Sequence, residues 1–401
     1  MSITRGVVSS WSAIGARPVR VSATEPIALV LTSNEVNENK MFYFDSFDKA
    51  LTYFVEAKKV SNKTRTYDQM KNAVKNGTFK GNLFKYLTWA VKKYELIVPT
   101  VVCVVKYDSD AAKLKTNIIN AIADVKKIPS KFKIRPDVVA VPDFTSDKDI
   151  ANQLIATLNY LRARSFIDLK ATDGSDAKAK REQFGSERVT PVYTDLVDWN
   201  TLTDSSDVFS ANFILSILRC VVDASDTIKE VGWSYTLSNK VLPVAEADMD
   251  IEFILGLGDE TDFLTQNQIT SFIEFNGVRV WNYQTCSADP LLQDARRVRI
   301  FDKLTFAVLP VVFPFIDSDR GVRAVQEAKD TIRDFVADMI GKDVLIGGIV
   351  ELDTDLTTPQ AINEGKFYIK VRTQEMSNAT RIAIKFNREN IYSDVEYKII
   401  G

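Results

Sequence analysis

The stretch LIVPTVVCVVKYDSDAAKLKTNIINAIADVKK, Leu96 to Lys127, decides the fold class. It opens on an apolar run, LIVPTVVCVV, and continues into a segment where Leu114, Ile118, Ile122 and Val125 line up at helical spacing, predicting a helix over 111–127. The alternation then repeats. A strand at DVVAVP precedes a helix over 147–163 with Ile150, Leu154, Leu158 and Leu161 aligned, followed by short strands at SFIDL and RVTPVY and a helix at VFSANFILSILRCVV. Strands alternating with helices imply a largely parallel sheet covered by helices, so this region is expected to be an α/β domain.

Open α/β sheets often bind nucleotides at the carboxyl ends of their strands. Here the turn after the first strand reads KYDSDAA and the turn after the second reads DFTSDKD. Neither contains a glycine, so neither can wrap bare backbone N–H groups round a phosphate. The sheet reads as a scaffold, and no cofactor is expected.

On the amino-terminal side, residues 1–25 alternate weakly, with Val19, Val21 and Ala23 on one face, but Gly6, Gly15 and Pro18 interrupt them and suggest an extended arm. A strand is expected at PIALVLTS. A helix follows at SFDKALTYFVEAKKV, with Ser46 as cap and Leu51, Phe54 and Val55 on one face, and another at LFKYLTWAVKKY. On the carboxyl side the spacing predicts helices over 290–308 and 322–340, then strands at VLIGGIVEL and KFYIKVRT. In the latter, Phe367, Ile369 and Val371 oppose Tyr368, Lys370 and Arg372. The chain ends on further alternation: Ile382, Ile384 and Phe386, then Val395, Tyr397 and Ile399. Such a face must be buried somewhere, and donation to another subunit's sheet edge is one physical solution.

Composition narrows the function. The chain has 401 residues, 51 basic against 53 acidic, and a net charge of -2, so no global field attracts nucleic acid or an anionic membrane. The amino terminus has no unbroken apolar h-region and no window approaches the roughly 20 apolar residues of a spanning helix, which suggests synthesis and assembly in a cytoplasm. There is no histidine, which removes Ser-His-Asp and Cys-His mechanisms and nearly all zinc sites. The cysteines Cys103, Cys220 and Cys286 are too widely spaced for a disulfide framework or a CxxC metal site. The carboxylate runs Asp248, Asp250, Glu252 and Glu351, Asp353, Asp355 superficially suggest a hard-cation site, but neither carries the Gly and Glu of an EF-hand loop, and a solvated strand face is the better reading.

The segment FNGVRVWNYQTCSADPLL, Phe275 to Leu292, looks at first like a nucleophile site around Cys286. With no imidazole to make the thiolate, it reads instead as structure: a turn at Gly277, a strand in which Val278 and Val280 alternate with Arg279 and Trp281, and a helix starting at Asp289-Pro290. Its GVRVWNYQTCSADPLL portion also resembles the segment G-[FY]-R-[VF]-W-G-x-R-T, with its following polar turn, of the contractile tail sheath proteins of myophages and R-type bacteriocins. Further resemblance lies in VGWSYTLSNKVL, in the helix GVRAVQEAKDTIRDFVADMI, and in INEGKFYIKVRTQEM, which is similar to L-x-x-G-K-[LF]-Y-[IV]-x-[VY]. The opening GVVSSWSAIGARPVRVSATEPIALVLTS is similar to the family's amino terminus. These segments follow the family's order along most of the chain.

The resemblance implies a multidomain α+β and α/β fold. An amino-terminal linking arm would occupy 1–25, a mixed α-β inner sheath domain 26–95 and 246–386, an inserted outer α/β domain 96–245, and a carboxyl-terminal linking arm 387–401. It implies a structural subunit, not an enzyme, that stacks as hexameric rings around an inner tube and contracts. Its partners would be itself, the inner tail tube protein, and the baseplate and tail terminator proteins, with no nucleic acid and no membrane binding, in a virion tail or bacteriocin particle. The linking residues would be Val19, Val21, Val395, Tyr397 and Ile399. The tube-facing candidates would be Arg296, Arg297 and Arg299, or Arg320 and Arg323; a solvated helix face with internal salt bridges is the other reading of these arginines. An α/β enzyme using Asp/Glu chemistry and a monomeric binding module are the rival classes.

Overall fold

A computed structural model describes residues 26–56, 59–60, 63–94, 97–254, 258–316, 321–380, 382 and 384–387. From the amino end come β1 (Ile27–Ser33), β2 (Lys40–Phe44), α1 (Phe47–Glu56), the two-residue strands β3 (Lys59–Val60) and β4 (Lys63–Thr64), α2 (Tyr67–Lys75) and α3 (Leu83–Lys93). The next section holds β5 (Thr100–Lys106), α4 (Ala111–Asp124), α5 (Ile128–Phe132), β6 (Val138–Ala140), α6 (Lys148–Leu161), β7 (Ser165–Asp168), α7 (Gly174–Arg181) and β8 (Val189–Val192). Then follow β9 (Leu196–Asn200), β10 (Ser205–Phe209), α8 (Ala211–Asp223), β11 (Glu246–Ala247), α9 (Glu260–Gln266), β12 (Ser271–Glu274) and β13 (Val278–Trp281). Last come α10 (Ala295–Val312), α11 (Val322–Gly341), β14 (Leu345–Leu352), α12 (Pro359–Asn363) and β15 (Ile369–Glu375).

The central sheet runs β2-β5-β1-β6, with β1 parallel to β5 and β6, and β2 an antiparallel edge. A parallel bridge, Val138 to Arg164, leads on to the parallel pair β7 and β8. Both faces are covered, which explains the unbroken apolar strands. Ile27, Leu29 and Leu31 enter one core with residues of α1, α3 and α8, while Ala28 and Val30 enter the other with residues of α4 and α6. The two glycine-free turns place aspartates at helix starts: Asp110 accepts from the backbone N–H groups of Ala112 and Lys113, and Asp147 from those of Asp149 and Ile150. Each helix N-terminus therefore already holds a carboxylate where a nucleotide-binding sheet presents free N–H donors.

A third core lies apart from the sheet. Ile300, Leu304 and Ala307 of α10 meet Ile332, Phe335, Val336 and Met339 of α11, with Trp233, Val344 and Leu345. The antiparallel pair of β14 and β15 lies against α11. Gly348 makes this close: a Cβ there would sit 2.5 Å from Val336 Cγ1 and 2.9 Å from Thr373 Cγ2.

Several expectations need correction. The expected boundary between 95 and 96 falls within one sheet, because β1 is hydrogen-bonded between β5 and β6. The α8 helix starts at Ala211, not at Val208, which belongs to the hairpin of β9 and β10. That hairpin and α7 had no recognised signal. The Asp289-Pro290 step lies in turns, and α10 begins at Ala295 behind Asp294, whose carboxylate accepts from Arg296 N–H. The neighbouring turn is as expected: Asn276 (φ 50°) and Gly277 (φ 97°) lie in the left-handed region, and Val278 and Val280 are buried. The arms, with Val19, Val21, Val395, Tyr397 and Ile399, and also Arg320, lie outside the described residues.

Candidate functional site

The first half of α10 carries a face of cations, Arg296, Arg299 and Lys303, that points inward. Arg299 is 0% exposed, with Nη2 2.6 Å from carboxylate oxygens of both Asp137 and Asp223, and Nη1 donating to Trp233 O at 2.9 Å. Lys303 Nζ lies 3.7 Å from Asp137. Burial works against the Asp137 charge, but Lys303, Arg299 and Arg135 outweigh it and hold this carboxyl well below the usual carboxylate range. Further along, Asp302 takes Arg164 Nη2 at 3.0 Å and also pairs with Arg188, and the Arg135 guanidinium stacks 3.6 Å from the Phe306 ring centroid. These contacts fasten α10 to the amino edge of the sheet, since Asp137 directly precedes β6 and Arg164 precedes β7.

The first turn of α10 reaches the other way. Arg296 donates from Nε to Ser234 O at 2.6 Å and from Nη1 to Met376 O at 2.5 Å. Arg297 Nε forms an ion pair with Glu375 at 2.8 Å. Arg296, Arg297 and Arg299 are therefore bonded within the subunit, and the buried Arg296 and Arg299 cannot face a tube. Arg323, exposed in the first turn of α11, is the remaining described candidate. Sequence reasoning offered Arg296, Arg297 and Arg299 as outward-facing because the partners of Arg299, Asp137 and Asp223, are far away in the chain.

A second feature lies beyond α10. The β14–β15 sheet has two strands, and neither outer edge pairs with another described strand. Ile346, Ile349, Tyr368 and Val371 remain exposed on it. A two-stranded sheet is marginal alone and offers unpaired backbone groups. Past Met376 the chain continues with Ile382 at 79% exposure, Ile384 at 74% and Phe386 at 92%: strand-like alternation with its apolar side in solvent.

The acidic runs sit differently from one another: Asp248, Asp250 and Glu252 follow β11 in irregular backbone, not on the expected strand face, whereas the second run begins in β14. Glu351 pairs with Arg372 across β14 and β15 at 2.9 Å, while Asp353 accepts from the N–H groups of Asp355 and Leu356. Cys286 is buried, and burial pushes its thiol up to about 12, with Arg181 only partly opposing, so it is not a nucleophile.

The fold as a whole matches solved structures of contractile sheaths. The helical sheath of the anti-feeding prophage in its contracted state matches with a TM-score of 0.65 at 16% identity, covering 97% of this chain and 100% of that one. The contracted sheath of the PVC extracellular contractile injection system matches at 0.63 and 12% identity, covering 97% and 98%. No family model matches the chain. Among curated proteins, the tail sheath protein of Escherichia phage P2 is 23% identical over 239 residues, 59% of each chain. A prophage major tail sheath protein of Pseudomonas aeruginosa is 24% identical over 265 residues, 65% of this chain and 66% of that protein. The chain thus spans less than two thirds of these curated relatives' length. Its sequence is similar to tail sheath proteins over part of their length, and its fold matches that of contractile sheaths.

Proposed function

We propose that this chain is the structural subunit of a contractile tail sheath. Subunits stack as hexameric rings around an inner tube, and contraction drives the tube through a target envelope, ejecting a viral genome or killing as a bacteriocin does. The role is non-enzymatic, and the particle is a virion or bacteriocin tail assembled in the host cytoplasm. Besides other copies of itself, the subunit meets the inner tube, the baseplate and the tail terminator.

The observation that carries this reading is the mismatch inside one subunit. The β14–β15 sheet has open edges, and the apolar alternation at Ile382, Ile384 and Phe386 is exposed and paired with no described strand. Exchange between copies satisfies both by β-augmentation, and the same head-to-tail contact repeated without closure builds a helical tube. The terminal segments 1–25 and 387–401 are the proposed linkers, and Arg323 remains the proposed tube-facing contact. The energy of contraction comes from new contacts between subunits, with the extended sheath as a kinetic trap.

Negative-stain microscopy of the purified full chain tests this. Tubes or long polysheaths are expected. A monomer that persists at every concentration overturns it.

A further inference from the structure

We propose that the first turn of α10 is a clamp on the end of β15: Arg296 and Arg297 fix the line along which residues 377–380 leave the strand. The consequence for assembly rests on the sheath reading above; the clamp itself does not.

The contacts gather at one point. Along its length β15 is already held by its ladder with β14, from the pair Leu352 and Ile369 to the pair Leu345 and Glu375, and Met376 N–H donates to Val344 O at 3.0 Å. The two arginines add nothing along that ladder. Arg297 takes the side chain of Glu375, the last strand residue, and Arg296 donates to the main-chain carbonyl of Met376, the next one. A bond to a carbonyl fixes the orientation of the peptide itself, which a side-chain pair alone does not do. Beyond that peptide the chain lies open, as the exposure of Ile382, Ile384 and Phe386 records.

The clamp has a firm base. The Arg296 guanidinium is also tied to Ser234 O, in the turn that carries the buried Trp233, so one side chain joins three chain segments. Asp294 caps the helix beside it, and one turn further on Arg299 is locked between Asp137 and Asp223. Load on residues 377–380 would thus pass through Glu375 and Met376 into α10 and on to the sheet, not into the two-stranded hairpin alone.

Cysteine labelling can test this in the unassembled full chain, because Cys103, Cys220 and Cys286 are all buried. Spin labels at Asn378→Cys and Asp334→Cys report the distance from the departing segment to α11. A single narrow distance peak is expected for the parent chain, and its loss in Arg296→Gln, Arg297→Gln and Glu375→Gln. The charge exchange Arg297→Glu with Glu375→Arg should restore it. Should the buried Arg296 variant fail to fold, the more exposed Arg297 and Glu375 variants carry the test, with thermal unfolding as control. Unchanged narrow peaks in folded variants overturn the clamp. Tube yield is then scored: fewer tubes from the broadened variants support its role in assembly, and undiminished tubes overturn that role. A parent chain that forms no tubes counts against the sheath reading, while the peak widths still decide the clamp.

Discussion

At Arg299 the guanidinium has exchanged water for two carboxylates and a carbonyl, all with no solvent access. Desolvating three charges is expensive, so the arrangement is weak proof of net stability, but removing one member strands the others. Arg299→Met should cost about 3–5 kcal/mol in urea unfolding at pH 7. The sign with pH follows from Asp137. In the parent its carboxyl is depressed, so its contribution is present above the unfolded value of about 3.9 and is lost as pH falls below it. In the variant Asp137 has lost one of the cations that hold it down, so less of this contribution is left to lose. The gap between parent and variant should therefore stay level from pH 7 to about pH 4 and narrow as pH falls below about 3.9, and a gap that stays constant there would sink the electrostatic assignment. None of this was legible in the sequence: three cations on one helical face look the same whether they meet water or acids from distant segments. The reading of Cys286 needed only the lack of histidine, a property of composition, and so it survived.

The regular elements of the sheet were legible because burial on both faces and helical spacing leave strong patterns, as in Ile118, Ile122, Leu154 and Leu158. The hairpin of β9 and β10 was not, because Asp198, Ser205, Ser206 and Asp207 break its apolar alternation. The boundary at 95 failed for another reason: β1 is separated from its partner β5 by three helices, and no local pattern announces which strands pair. Between α11 and β14 the packing makes a sharp test. Gly348→Ala forces a methyl into Val336 and Thr373 and should destabilise by about 1–3 kcal/mol, as overpacking does. Gly347→Ala, where nothing lies within 4 Å of the new Cβ, should stay within about 0.5 kcal/mol. Equal effects in thermal unfolding would show that the hairpin does not seat on α11 as described.

For the whole molecule, the informative residues are those that contribute little to the lone subunit. Ile384 and Phe386 lie almost wholly in solvent, so replacing them removes little buried area. The paired substitution Ile384→Asp and Phe386→Asp should leave the unfolding midpoint of the unassembled subunit unchanged, since exposed changes away from caps and ion pairs are nearly neutral. In a donated strand the same side chains would be buried against a neighbour's sheet, and two carboxylates there would each carry a desolvation cost of several kcal/mol, repeated at every junction of the tube. Tubes should therefore disappear from negative-stain fields while the subunit's circular dichroism and melting stay as before. Normal tubes from the doubly substituted chain would mean that residues 382–386 do not enter a neighbouring sheet, and the link between copies would have to be sought at the amino-terminal segment instead.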